Sequence, residues 1–389
     1  MVRQSLFTRW FAIVFAAALA TELGNSLLVH FPGFLLDLGA DEARIGTIVA
    51  LAGVASIGAR PWMGRVMDRR SRRLIIRWGI LLTASATFAY AFVDEIGALV
   101  IVARLVQGLG QAMTYTAFWT YISDRFPTEK RTQGIALFGI SGLLPLAVGP
   151  GLGDLLLGAA GYRGLFFAAS GLALLALSLT LFLERTGVHT GATPIGFWAV
   201  LRSGHMAPIW LGTFALSLGF TAAFVFVKTY VTTSGLGSVG PFFLAYGSTA
   251  ILWRLVFSWV PDRVGPARMI TPALLLYALG MTILGVGGSQ MVLALAGLAT
   301  GLGHGIGYPV MLTLSTIRTD PGDRGAATSI FTAIFDLGLI GMAPVLGLTI
   351  SWFGYRAMFW STAVTIVIGL AMVRGLDLKA GSRISPKLS

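Results

Sequence analysis

Gly64-Arg65-Val66-Met67-Asp68-Arg69-Arg70-Ser71-Arg72-Arg73 separates two long apolar segments in a chain where charge is otherwise scarce. Counting Arg77 just downstream, six cations crowd around one carboxylate. A short cytoplasmic loop pinned between two membrane helices has this composition, because Lys and Arg collect on the side from which they are not easily translocated. The stretch therefore sets an orientation before any fold is considered.

Composition supports the membrane reading. Of 389 residues, 56% are hydrophobic and 11% charged, against about 25% charged in soluble domains. The net charge of +12 does not indicate nucleic acid, whose binders gather Lys and Arg on solvated faces. Here the cations sit in short loops between apolar runs, a topology signal that also attracts anionic lipid headgroups. The absence of cysteine excludes disulfides, thiolate metal sites and cysteine nucleophiles. Arg3 and Arg9, the apolar run from Trp10 to Ala17 and then Ala18-Leu19-Ala20 have the layout of a signal peptide. Apolar sequence continues to Leu36, however, well past an h-region of about 7–15 residues. A retained first helix is expected.

A spanning helix needs about 20 mostly apolar residues. Twelve such segments are expected near 9–36, 43–66, 74–93, 97–124, 131–158, 163–184, 206–233, 239–260, 267–288, 290–318, 323–352 and 355–375. With the N-terminus in the cytoplasm, Arg44, Arg163 and Arg356 fall outside and Arg104 and Lys228 within the membrane, while every other Lys and Arg lies in or beside a cytoplasmic loop. Both termini are therefore expected inside. Residues 185–205, with Gly187, Gly191, Pro194 and Gly196, read as a cytoplasmic linker. The linker would divide an N-terminal six-helix bundle over 1–184 from a C-terminal one over 206–375, followed by a cytoplasmic tail over 376–389.

The two halves repeat. A shift of 193 or 194 positions brings Arg60, Asp68 and Arg69 onto Arg254, Asp262 and Arg263, and Gly108-Leu109-Gly110-Gln111 with Tyr115 onto Gly301-Leu302-Gly303-His304 with Tyr308. It also brings Pro150 and Gly153 onto Pro344 and Gly347, and Gly161-Tyr162-Arg163 onto Gly354-Tyr355-Arg356. One six-helix unit is used twice.

With these residues in place, the chain resembles the major facilitator superfamily over essentially its full length. Gly64 to Arg73 resembles that family's signature between helices 2 and 3, Gly-x-x-x-Asp-Arg-x-Gly-Arg-Arg, with Ser71 replacing the second glycine. Arg104-Leu105-Val106-Gln107-Gly108 is similar to its helix 4 motif, and Gly149-Pro150-Gly151-Leu152-Gly153 to the core of its antiporter-associated helix 5 motif, with Asp154 and Pro145 where glycines are usual. The resemblance implies an all-α integral membrane protein of 12 transmembrane helices in two pseudo-symmetric bundles. It further implies a secondary active transporter similar to the proton-coupled efflux branch. In the family, helices 1, 4, 7 and 10 line the cavity, and the aspartate of the signature holds a neighbouring helix end. Gly64, Asp68, Arg69 and Arg72, with Asp262 and Arg263 in the second copy, are thus expected to form a conformational latch. Gly149, Pro150 and Gly153 are expected to form a hinge in helix 5.

An ionisable residue inside a membrane helix is expensive and marks a functional site by default. Glu22, with Asn25, Ser26 and His30 at helical spacing, forms one such face. Arg104, Gln107, Gln111 and Tyr115 form another, followed by Trp119; Lys228 lies on helix 7, His304 and Tyr308 on helix 10, and Asp336 on helix 11. A carboxyl whose partner or solvent access changes between inward and outward states can load a proton on one side and release it on the other. Glu22 is expected as the first proton carrier and Asp336 as the second, with Arg104 as the charge that tunes one of them. Asn25, His30, Gln107, Gln111, Tyr115, Trp119, Lys228, His304 and Tyr308 are expected to line the substrate cavity. Because the inventory mixes acids with cations, a zwitterionic or anionic amphiphile fits better than a cation.

The chain has no phosphate-binding loop, zinc-protease pair or nucleophile elbow, so neither an enzyme, a metal nor a cofactor is expected. The expected protein is a monomeric multi-pass exporter in the inner (cytoplasmic) membrane, an antiporter moving small amphipathic molecules by alternating access against protons. The alternatives are a proton symporter importing an organic anion or zwitterion, and a sensor or lipid-binding scaffold that moves nothing. The stronger signature lies in the first half. Asp68→Asn is therefore expected to impair transport more than Asp262→Asn while leaving substrate binding largely intact; equal damage in a transport assay, or lost binding in the first, would count against the latch.

Overall fold

The structure, a computed structural model, describes residues 8–69, 71–184 and 195–381, excluding the side chains of 42–43, 64–65, 68–69, 232, 340 and 377–381. The expected latch side chains of Asp68 and Arg69, with Gly64, lie outside the described residues, as do linker residues 185–194 and tail residues 382–389.

Hydrocarbon offers a backbone no water, so a spanning segment must satisfy its own N–H and C=O groups, as a helix does. Among the described residues there is no strand. Along the first half of the chain the helices are α1 (Arg9–Leu27), α2 (Phe31–Asp37), α3 (Glu42–Arg69), α4 (Arg72–Tyr90), α5 (Ala98–Arg125), α6 (Arg131–Phe138) and α7 (Ile140–Leu179). The remainder are α8 (Phe197–Arg202), α9 (Ala207–Thr233), α10 (Gly240–Val256), α11 (Val260–Val264), α12 (Pro266–Val286), α13 (Gln290–Ile317) and α14 (Arg324–Gly381). α7 and α14 each fold back at a glycine, Gly161 and Gly354. With α1 joined to α2 and α6 to α7, the described residues make twelve membrane-length segments, as the resemblance implies.

Boundaries shift where proline intervenes. Span one, expected as a single helix over 9–36, is broken by a 3-10 turn at Leu28–His30. Pro32 has no N–H for the Leu28 carbonyl four residues back, and Phe31 N–H takes that carbonyl instead. Span eight stops at Val256 and is followed by the short α11, because Pro261 likewise cannot serve Phe257. Part of the expected linker, Phe197–Arg202, is helical.

The chain forms two compact units, one of Met1–Arg125 with Phe138–Pro194, the other of Phe126–Leu137 with Ile195–Ser389. In the first, α1 packs on α7 and α4 on α5, and α3 lies against α5. Association in a bilayer relies on close packing rather than on escape from water, which favours small residues at contacts. A methyl group built on Gly108 would overlap the Ala52 backbone of α3. In the second unit Gly301, its repeat mate, meets the Tyr246 backbone of α10 in the same way. The sequence repeat is thus a repeated helix contact.

The basic run that opens α4 is tied down. Arg72, 2% exposed, pairs with Asp124 at the end of α5 at 3.1 Å. Arg73 and Arg77 donate to the carbonyls of Leu183 and Thr180 at 2.9 and 2.8 Å, holding α4 to the chain beyond α7.

Gly161 has φ 61° and ψ −169°, and Gly354 φ 82° and ψ 171°, a region essentially confined to glycine. Nothing lies within 4 Å of a side chain added at either site, so the cost of alanine there is backbone strain alone. Gly161→Ala and Gly354→Ala should each destabilise by about 1–3 kcal/mol in thermal unfolding. Gly171→Ala, helical with open space around it, should be neutral or stabilising.

Candidate functional site

Three helices of the first unit converge on a cavity of about 300 Å³ with a mixed polar and apolar lining. α1 and the turn after it contribute Asn25, Ser26, Leu28 and Val29, α5 contributes Arg104, Gln107 and Gln111, and α7 contributes Leu146 and Pro150. Spacings of three and four residues place Arg104, Gln107 and Gln111 on one face of α5. Gln111 Nε2 donates to Asn25 Oδ1 at 3.2 Å, closing the wall between α5 and α1. Arg104 donates to Gln107 Oε1 at 2.8 Å and to the Val49 carbonyl of α3 at 3.3 Å, and its guanidinium carbon stands 4.7 Å over the Phe31 ring. Gln107, 1% exposed, also accepts from the hydroxyl of Tyr90 at 2.7 Å.

His30 sits beside this cavity. Its Nε2 lies 3.1 Å from the Pro150 carbonyl and 3.7 Å from Asp154 Oδ1. The helix 5 glycines serve as contact points here: a methyl on Gly149 would overlap Ser26, and one on Gly153 would overlap the His30 ring. Glu22 is half-buried one turn before Asn25, which hydrogen-bonds to its carboxyl. Tyr115 and Trp119 lie further along α5 and are not among the described lining residues. Trp119 is buried, edge-on to Phe138 at 5.0 Å and to Tyr115 at 5.9 Å.

The second unit places a different chemistry at the repeat position. His304 of α13 is 6% exposed, with Nδ1 against the Tyr246 hydroxyl and Nε2 without a hydrogen-bond partner. Aromatic rings enclose it: Phe220 of α9 at 5.4 Å, Tyr308 at 5.6 Å and Phe335 of α14 at 6.4 Å. Asp336, next to Phe335, is half-buried, and Lys228 of α9 is exposed. Ser217 of α9 donates to the Phe335 carbonyl at 2.6 Å and rests on Gly338, a Ser-on-Gly contact like that of Ser26 with Gly149.

The second signature copy is fully described. Asp262 of α11 accepts from the backbone N–H groups of Thr132 at 3.1 Å and Gln133 at 2.9 Å, at the start of α6. Burial pushes its carboxyl above the usual range, against the pull of those N–H groups and of Arg131. The unsatisfied N–H groups of a helix start favour such a carboxylate. Arg263 stacks over Trp259 at 4.8 Å.

Sequence reasoning missed Tyr90, Phe31, Val49 and Tyr246. Each joins the site from another helix, and no spacing within one helix reports such a partner.

Twelve helices in two repeated units, with polar side chains facing inward at mid-helix, define a secondary-transporter fold. The model of the Major Facilitator Superfamily matches residues 5–282 and 242–387, and the chain belongs to that family. It is 24% identical over 383 residues to the MFS-type transporter YhhS of Salmonella paratyphi C (strain RKS4594), covering 96% of this chain and 93% of that one. It is 26% identical over 361 residues to an MFS-type transporter of Burkholderia mallei (strain SAVP1), covering 89% and 86%. Among solved structures, the human organic anion transporter MFSD10 (TETRAN) superposes with a TM-score of 0.78 at 20% identity, covering 94% of this chain and 99% of that one. The transporter FucP in its outward conformation does so at 0.81 and 16% identity, covering 96% and 99%. These likenesses establish the fold. The protein is a multi-pass membrane transporter of the superfamily and not an enzyme.

The Ser26–Gly149 contact leaves no room for a methyl group. Gly149→Ala should cost about 1–3 kcal/mol by overpacking, and Ser26→Gly in the same protein should restore most of it. A neutral Gly149→Ala in thermal unfolding would mean that α1 and α7 do not pack this closely.

Proposed function

We propose that this transporter exports small amphipathic organic molecules, anionic or zwitterionic, in exchange for protons by alternating access across the inner membrane. The observation that carries the reading is the cavity among α1, α5 and α7. It joins a guanidinium, three amides and a hydroxyl to the apolar side chains of Leu28, Val29 and Leu146 in about 300 Å³. A space of that size and mixed lining suits a compact solute with one polar end. The structural likeness to a human organic anion transporter supports an anionic solute here.

Glu22 and Asp336 are the proposed proton carriers, with Arg104 as the fixed positive charge of the site. Both carboxyls are half-buried within helices, where ionisation and neutralisation differ in cost according to the access of water. His30, Tyr115, Trp119, Lys228, His304 and Tyr308 complete the proposed solute path. The moving bodies are the bundles over 1–184 and 206–375, joined by 185–205, with both termini cytoplasmic and the monomer as the working form. Gly149, Pro150 and Gly153 flex, and the two signature copies latch.

Purified protein in proteoliposomes tests the coupling. Under an imposed pH gradient, Glu22→Gln and Asp336→Asn should each lose most gradient-driven movement of an organic anion while keeping solute exchange at equal pH. Full gradient-driven transport in both variants would remove the carboxylate mechanism, and movement of solute together with protons would replace export by symport.

A further inference from the structure

Among the described residues, Arg104 is a cation with no anionic partner. A guanidinium carries five N–H donors and no acceptor, and a charge in a membrane segment is tolerated when it is paired or faces a cavity. The described partners of Arg104 are all neutral: Gln107 Oε1, the Val49 carbonyl, the Tyr90 hydroxyl and the Phe31 ring. Its Nε is buried with no hydrogen-bond partner. No acidic residue occurs among the described residues lining the adjoining cavity.

Gln107 is locked in a matching orientation. A guanidinium cannot accept, so the amide atom that faces Arg104 must be the oxygen. The Tyr90 hydroxyl donates to that same oxygen. Tyr90 is itself fully buried and immobilised between the rings of Phe31 at 4.7 Å and Phe166 at 5.4 Å. Turning the amide over would set its NH₂ group against the guanidinium donors. The Gln107 NH₂ is therefore the group left to serve the cavity, next to the unused N–H groups of Arg104. Neither tyrosine nor glutamine carries charge, so none of the described partners compensates the positive potential of Arg104.

We propose that the Arg104–Gln107 end of the cavity is a carboxylate-binding subsite, and that Tyr90 is its positioning residue, keeping the Gln107 amide turned toward the ligand. This rests on the reading of the cavity as the solute site. A carboxylate accepts two parallel N–H groups from one guanidinium and a further one from an amide. Leu28, Val29 and Leu146 receive the apolar body of the ligand. An ammonium head would meet donors and a like charge, and a neutral amide would leave the guanidinium unpaired.

Radiolabelled benzoate, benzamide and benzylamine, nearly equal in shape, separate these cases in equilibrium binding to the full-length protein in lipid nanodiscs. Benzoate should bind at least about tenfold more tightly than either of the others, as expected for one charge-assisted contact. Arg104→Gln should bring benzoate down to the level of benzamide, and Arg104→Lys should recover only part, because an ammonium lacks the planar fork. Tyr90→Phe should shrink the benzoate-to-benzamide ratio by about threefold or more, the readout that a purely structural role would not move. Thermal unfolding without ligand checks that each variant is folded; if Arg104→Gln is not, Arg104→Lys carries the comparison.

Equal binding of the three probes, no benzoate binding, or benzoate affinity unchanged in the Arg104 variants would overturn the subsite. Equal weakening of benzoate and benzamide by Tyr90→Phe would overturn the positioning role. Exchange of a neutral or cationic amphiphile in proteoliposomes, without benzoate binding, would remove the subsite and leave the transporter of organic solutes standing. Failure of every class of organic solute to exchange would remove that broader reading as well.

Discussion

A peptide group or a charge inside hydrocarbon has no water to turn to, and the rest of this structure depends on that constraint. It leaves the helix as the way across for an open chain. It also makes each proline a place where a carbonyl needs a new partner. Pro32 shows the consequence within one helix: the Leu28 carbonyl passes to Phe31 through a 3-10 turn, and the face that carries Asn25 and Ser26 ends there. The same constraint keeps Arg72, Arg73 and Arg77 engaged with a carboxylate and two backbone carbonyls. These three described arginines of the basic stretch act as clasps on neighbouring segments.

Helix contact supplies the second layer. Without a hydrophobic drive between helices, proximity depends on small residues, and the repeat conserves these positions within the chain. Gly108 against Ala52 and Gly301 against Tyr246 hold equivalent helix pairs in the two units. What the repeat does not conserve is the chemistry alongside. Arg104, Gln107 and Gln111 in the first unit correspond to Gly297, Thr300 and His304 in the second. One unit thus has a hydrogen-bonding wall with a fixed charge, the other a buried imidazole among aromatic rings.

The second signature copy shows how a motif becomes a contact. The Asp262 carboxylate receives two backbone N–H groups at the start of α6, where the helix dipole favours negative charge. Residues 126–137 therefore belong to the second compact unit although they come from the first half of the chain. The division of the chain by contact and its division by sequence repeat differ at this loop, because a carboxylate bond to a helix start ignores sequence distance.

Much of the architecture was legible in order along the chain. Apolar length marked the spans, and the 193- to 194-residue repeat marked the matched glycine contacts, because each of these is a property of consecutive or evenly spaced residues. The polar face of α5 was legible for the same reason, since Arg104, Gln107 and Gln111 share a helical stripe. The sequence by itself therefore determined that this is a duplicated helical membrane protein and which residues present polar groups inside it. Only the tertiary structure decided what those groups face. Tyr90 has no spacing relation to Gln107, Tyr246 has none to His304, and Trp119 meets Phe138 edge to face from beyond its own helix. Side-chain hydrogen bonds between helices depend on how those helices cross, and a crossing is set by packing over whole faces, which no local pattern encodes.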